Sequence, residues 1–190
     1  MEFIIIIIGA IFVNNIVFLQ FLGICPFLGV STRLSTATGM AAAVVFVMTL
    51  ATLVTYLFQV LLLVPLDIQF MQTIVYILVI AALVQMVEII LKKVSQPLYQ
   101  ALGVYLPLIT TNCTILGVAL LVIRKNYTLV QSVVFAIATA IGFGLALIIF
   151  AGIREKMDLY DIPEAMKGAP IALVTAGLLS LAFMGFAGMV

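Results

Sequence analysis

Apolar residues run along this chain in long unbroken stretches, with few polar positions and no regular alternation between them. Six such stretches stand out, approximately Phe3 to Leu22, Gly39 to Val64, Phe70 to Leu91, Tyr99 to Ile123, Thr128 to Ile153 and Ala169 to Val190. Each is near the ~20 residues that a helix needs to cross a ~30 Å hydrocarbon core. A lipid-facing barrel strand would alternate apolar and polar, so continuous runs predict helices. The expected class is an all-α integral membrane protein with six transmembrane helices. The first stretch has no basic region before it and no small-residue cleavage site before the next, so it reads as a span rather than a removable signal peptide.

Two of the stretches carry helix-interrupting residues. Span one runs into Leu22-Gly-Ile-Cys-Pro-Phe-Leu-Gly-Val-Ser31, and span four contains Leu106-Pro-Leu-Ile-Thr-Thr-Asn-Cys-Thr-Ile-Leu-Gly117. Glycine and proline loosen the helical ladder, and freed backbone groups inside a membrane survive only where protein or a cavity satisfies them. Both breaks contain the same hexapeptide pattern, Cys25-x-x-Leu28-Gly29-Val30 and Cys113-x-x-Leu116-Gly117-Val118, offset by 88 positions (113 minus 25). Matching breaks in two halves are the mark of inverted-repeat membrane proteins. The expectation is therefore a single membrane domain, 1–190, built of two inverted three-helix repeats, about 1–95 and 96–190, with helices one and four broken. Three crossings per repeat place the second copy upside down relative to the first.

Composition removes the soluble alternatives. The chain is 66% hydrophobic and 8% charged, with a mean hydropathy of +1.43, which leaves too little polar surface to cover a globule in water. A formal net charge of +1 offers no basic footprint, and no nucleic acid is expected as partner. Histidine is absent, and no G-x-G-x-x-G or P-loop follows a strand, so neither haem ligation by histidine nor a known nucleotide motif is available.

The basic residues orient the bundle. Arg33, Lys92, Lys93, Arg154, Lys156 and Lys167 fall in connections on one side, and Arg124 and Lys125 on the other. By the positive-inside rule the side with six faces the cytoplasm, and both termini face away from it. Helical rise then sets the depth of the thiols: Cys25 lies eight residues from Arg33, roughly 12 Å, and Cys113 eleven from Arg124, roughly 16 Å. Each is near half of a ~30 Å core. Pro26 suits the first position of a half-helix with Cys25 as its cap, an arrangement that aims backbone N–H groups at the sulfur and favours a thiolate.

Several chemistries are open to two such thiols. They can be small core residues, a disulfide staple, or half of a Cys₄ site for zinc or an iron-sulfur cluster, with a partner supplying the other half. A secondary transporter with a substrate cavity at the breaks is a further alternative, disfavoured by the scarcity of ionisable residues inside the spans.

The stretches Phe21-Leu-Gly-Ile-Cys-Pro-Phe-Leu-Gly-Val-Ser31, Leu106-Pro-Leu-Ile-Thr-Thr-Asn-Cys113, Ala151-Gly-Ile-Arg-Glu-Lys156 and Thr175-Ala-Gly-Leu-Leu-Ser-Leu-Ala-Phe-Met-Gly-Phe186 resemble the RnfA/NqrE family, membrane subunits of the Rnf and Nqr ion-translocating oxidoreductases. The resemblance covers essentially the whole chain, and Cys25-Pro-Phe27 favours the Rnf branch over the Nqr branch. It implies an electron-transfer subunit in ferredoxin:NAD oxidoreduction coupled to Na⁺ or H⁺ movement. It also implies an intramembrane [2Fe-2S] cluster with Cys25 and Cys113 as two of its four ligands. The other two would come from the paralogous six-helix E subunit (RnfE), with subunits B, C, D and G as further partners. The implied location is the bacterial or archaeal cytoplasmic membrane. No complete active site is expected in this chain alone.

Other polar positions have plainer readings. Glu88 precedes Lys92 by four residues, the spacing of an interfacial pair on a helix, with an ion-coupling carboxylate as the alternative. Asn14, Asn15 and Asn112 are placed to hydrogen-bond between helices or to close broken backbone. Ser35-Thr-Ala-Thr38 reads as a helix start with hydroxyl caps, and Arg154 to Gly168 as the main polar loop. The orientation has a direct check: a reporter fused after Val190 is expected to be active only outside the cytoplasm, and activity inside would reverse the assignment.

Overall fold

The computed structural model describes residues 2–65, 67, 69–94, 106–160, 163 and 166–185. Among them every regular element is helical. In chain order they are α1 (Glu2–Ile8), extended by a π-type turn over Gly9–Val13, then α2 (Ile24–Val30), α3 (Leu34–Phe58), extended likewise over Gln59–Leu63, and α4 (Gln72–Val94). After these come α5 (Leu106–Thr110), α6 (Cys113–Arg124), α7 (Leu129–Met157) and α8 (Ala169–Met184). Among the described residues, four apolar helical stretches are long enough to cross a membrane, Leu34–Leu63, Gln69–Ile90, Pro107–Arg124 and Leu129–Met157, while Phe3–Val13 and Ala169–Met184 are shorter apolar helices. The protein is a multi-span helical membrane protein.

Helix α7 is the central post. Its 29 residues make a rod of about 43 Å, and its most extensive packing is against α3. Small residues let the two backbones approach: Ala136, Ala140 and Gly144 lie one turn apart on a buried face of α7, and a Cβ on Gly144 would sit 3.0 Å from that of Ala41 in α3. Lipid tails are as apolar as leucine, so close fit rather than water exclusion holds such helices together. Large apolar side chains such as Phe46, Ile74, Leu78 and Leu181 point outward, as a protein solvated by lipid or by neighbouring subunits requires.

Several boundaries differ from the sequence expectation. Span one stops being helical at Val13, nine residues before Leu22, because Asn15 offers the backbone a competing set of bonds. Its amide Nδ2 donates to Ile11 O (3.1 Å) and to Gly142 O of α7 (3.0 Å), while Oδ1 accepts from Val17 N (3.1 Å). This closes an Asx turn and ties it to the central helix. Helix α3 begins at Leu34 rather than Gly39, with extended Arg33 as its N-cap. The hydroxyls expected to cap it instead donate to carbonyls, Thr36 to Arg33 O (2.8 Å) and Thr38 to Ser35 O (2.9 Å). Helix α7 continues past Ile153 to Met157, so Arg154 and Lys156 stand on a helix and not in the polar loop. The start of span four, 99–105, and the end of span six, 186–190, lie outside the described residues.

The crossing of α1 and α7 is tight enough to test. A Cβ on Gly142 would meet Ile11 Cα at 3.1 Å and Ala10 O at 3.2 Å, whereas one on Gly177 meets nothing within 4 Å. Gly142→Ala is therefore expected to cost about 1–3 kcal/mol, seen as a lowered thermal midpoint of the purified protein. Gly177→Ala is expected to change stability by less than ~0.5 kcal/mol.

Candidate functional site

The two cysteine-bearing half-helices begin side by side. Gly23 caps α2 in a left-handed conformation (φ 79°), and its N–H donates to Cys113 Sγ at 2.9 Å. Glycine is required at this point. A Cβ on Gly23 would strike Thr114 Oγ1 and lie 2.8 Å from Phe143 Cε2, and L side chains avoid positive φ in any case. Farther along, a Cβ on Gly117 of α6 would lie 2.8 Å from Leu22 Cδ1, and one on Gly29 of α2 would lie 3.5 Å from Leu108 Cδ1 of α5. The two breaks thus pack on each other.

Their depth can be read off α7. Phe143, which abuts Gly23, stands midway along that helix. From there α2 runs toward one end, where Arg154 Nη1 donates to Leu28 O (2.8 Å) and Ser31 Oγ (2.9 Å). Helix α6 runs toward the other end, where Lys125, its C-cap, lies 5.1 Å from the centre of the Phe135 ring. Phe135 and Arg154 are roughly 12 Å and 16 Å from Phe143 along the axis. The half-helices diverge from beside the middle of α7 toward its opposite ends.

The local cap at Cys25 differs from the expectation. Gly23 rather than Cys25 is the N-cap, since Phe27 N bonds Gly23 O at 3.2 Å, and Pro26 is the third helical residue rather than the first. Proline fits there because that amide has no partner within the helix either. At the second break Asn112 is the N-cap, its side chain accepting from Thr114 N at 3.0 Å, and Cys113 is the first helical residue. Both thiols therefore sit in the first turn of a half-helix, with the free amides nearby.

Exposure separates the two cysteines: Cys25 is exposed and Cys113 half-buried. Beside Cys113, two buried donors, Asn112 Nδ2 and Thr114 Oγ1, find no hydrogen-bond partner among the described residues. A buried donor left unpaired costs about 1–3 kcal/mol, so such a pair next to a thiol marks a place where acceptors are wanted. No cluster of three or more Cys, His, Asp or Glu that could hold a metal occurs among the described residues. Two thiols, with N–H and O–H donors near Cys113, number half the ligands of a tetrathiolate centre and cannot complete one.

The remaining polar candidates are dispersed. Glu88 stands in α4, half-buried, one turn before Lys92. Asn14 is exposed and borders a cavity with Gln20, Lys125 and Tyr127. Sequence reasoning missed Gly23, which precedes the repeated hexapeptide, and Arg154, which looked like a loop charge. A glycine two residues before a half-helix cysteine was the available signal for the first; nothing local signalled the second, because its partners lie more than 120 positions away.

Fold and site together define a polytopic helical membrane protein with two broken helices that meet beside the middle of α7, each carrying a thiol in its first turn. A family model described as "Rnf-Nqr subunit, membrane protein" matches residues 3–190. The sequence is 57% identical over 189 residues to the A subunit of the Na(+)-translocating ferredoxin:NAD(+) oxidoreductase complex of Acetobacterium woodii, covering 100% of this chain and 98% of that one. It is 57% identical to the A subunit of the ion-translocating oxidoreductase complex of Syntrophotalea carbinolica, over 97% of this chain and 96% of that one. A third relative, the corresponding A subunit of Pseudoalteromonas translucida, is 51% identical over 100% and 98%. The chain belongs to the Rnf-Nqr family of membrane subunits.

The cap glycine supplies the test of the site's geometry. Gly23→Ala is expected to destabilise the protein by about 1–3 kcal/mol through strain and overlap with Thr114. The measurement is the thermal midpoint of the purified protein, and an unchanged midpoint would show that the break does not depend on this contact.

Proposed function

We propose that this membrane subunit of an ion-translocating oxidoreductase complex contributes Cys25 and Cys113 to an intramembrane [2Fe-2S] centre shared with a paralogous six-helix subunit, the Rnf E subunit. The observation that carries the reading is the bond from Gly23 N–H to Cys113 Sγ, 2.9 Å. It joins the start of one cysteine half-helix to the thiol of the other. The relatives' names supply the redox and ion-translocating context, and the ligand count supplies the partner: two thiolates here require two more.

When bound, such a centre supplies a one-electron carrier at mid-depth. The chain's own residues make its burial tolerable. Four thiolates around the oxidised core leave net negative charge in a medium that penalises it. The Gly23 N–H donates to the Cys113 sulfur, and such a bond to a ligand thiolate would be charge-assisted, roughly twice as strong as a neutral one. Asn112 Nδ2 and Thr114 Oγ1 are held beside it as further donors. Exposed Cys25 faces outward from the same break as Phe21, which is 61% exposed; this is the surface on which the partner's ligands would close. The same reading makes the fold a pair of inverted repeats, places both termini outside the cytoplasm, and couples electron flow to Na⁺ or H⁺ through the complex that subunits B, C, D and G complete.

The test is electron paramagnetic resonance of the reduced A and E subunits, co-purified without the others. A [2Fe-2S] signal is expected that disappears in Cys25→Ala and in Cys113→Ala. A signal that survives both substitutions would remove these residues as ligands.

A further inference from the structure

We infer that Arg154 positions Cys25 and sets the redox poise of its centre, acting through α2. The inference rests on the proposed function. Arg154 leaves α7 to donate from Nη1 to Leu28 O at 2.8 Å and to Ser31 Oγ at 2.9 Å. Both acceptors belong to the last turn and C-cap of α2, the helix whose first turn holds Cys25. Carbonyls there have no N–H partner within the helix; Leu28 O takes a long bond from Ser31 Oγ (3.5 Å) and its short one from Arg154. Ser31 is fully buried, so water does not do this work.

Aromatic rings fix the same joint a second time. The guanidinium lies 6.0 Å from the centre of the Phe150 ring, and Phe150 stacks on Phe27, one turn before Ser31, with centroids 4.3 Å apart and planes inclined by 19°. Helix α2 is thus held to α7 by a forked cation at its end and by a ring on its side. Leu28 lies three residues beyond Cys25, one helical turn.

The cation also acts at a distance. About 4.5 Å of axial rise separates Leu28 from Cys25, the Leu28 carbonyl oxygen projects roughly 2 Å farther along the axis, and the hydrogen bond adds 2.8 Å, so the guanidinium stands roughly 10 Å from the thiol. At an effective dielectric constant near 20, a unit charge at that separation shifts an equilibrium that adds one negative charge by on the order of tenfold. Reduction of one Fe(III) to Fe(II) by a one-electron donor is such an equilibrium, so Arg154 favours the reduced form. Asp158 lines the same outer cavity as Arg154 but is exposed, where solvent screens its opposing charge.

The experiment is a dithionite redox titration of the co-purified A and E subunits, read by paramagnetic resonance, for Arg154→Gln, Arg154→Lys and Ser31→Asp. Arg154→Gln is expected to move the midpoint negative by about 59 mV, the value of a tenfold change for one electron. Arg154→Lys, which keeps the charge, is expected to move it by less than half as much. Ser31→Asp neutralises the cation in place and should reproduce the Gln shift, which keeps the idea testable if Arg154→Gln does not assemble. Equal midpoints in all four proteins, or a Lys shift as large as the Gln shift, would overturn the electrostatic role. Positioning has its own readout that needs no metal: in a Cys113→Ala background, Arg154→Gln should change the rate of Cys25 labelling by a membrane-permeant maleimide several-fold, with Lys restoring it. An unchanged rate would overturn that role. An unsubstituted protein that shows no signal, but in which labelling responds as expected, would defeat the cluster reading and leave the positioning role standing.

Discussion

A helix can break inside a bilayer only if every N–H and C=O it releases finds a partner, because hydrocarbon offers none. The rest of this structure depends on how that requirement is met between Asn14 and Gly23. Asn15 takes up Ile11 O, Gly142 O and Val17 N. Ser180 of α8 donates to Phe18 O at 2.6 Å, and Gly23 N–H goes to Cys113 Sγ. The partners come from α7, α8 and α6, so closing the break in span one draws three other helices to it. The backbone's demand for hydrogen bonds assembles the interior; the thiol is one of the groups that answers it.

Dense, small-residue packing makes that closure possible. The Asn15 to Gly142 bond needs the π-type turn of the first span to lie almost against the α7 backbone, and a side chain at 142 would hold the two apart. Likewise Gly144 lets α3 approach α7. The same rod then fixes depth, since Phe143 stands beside Gly23 at the middle and Arg154 and Phe135 mark the two directions in which α2 and α6 leave. Position along one helix thus relates the two breaks to each other.

The class and the paired breaks were legible because they rest on composition and on repeated local signals. An unbroken apolar run longer than about 18 residues has few places to go but a membrane, and Cys-x-x-Leu-Gly-Val occurs twice. The half-helix starts were legible to within two residues, because proline permits any of the first three positions. The early end of the first helix was hidden. Asn15 breaks it through a carbonyl 127 positions away, and no window of local sequence contains that partner. Arg154 was hidden for the same reason: its charge suggested a connection between spans, while its bonds run 126 and 123 positions back to Leu28 and Ser31. Local rules find where a membrane helix is weak. Which side chain completes it is a tertiary fact.

The unequal exposure of the two thiols follows from how each break is repaired. Cys113 is half-buried because it serves its own fold, accepting the N–H that Gly23 cannot give to its own helix. Cys25 has no such duty. Its half-helix is capped by glycine and braced at the far end by Arg154, which leaves the thiol exposed. Without the Cys113 sulfur, the Gly23 amide would lose its partner. The asymmetry gives Cys113 a structural bond within the fold and leaves Cys25 exposed at its surface.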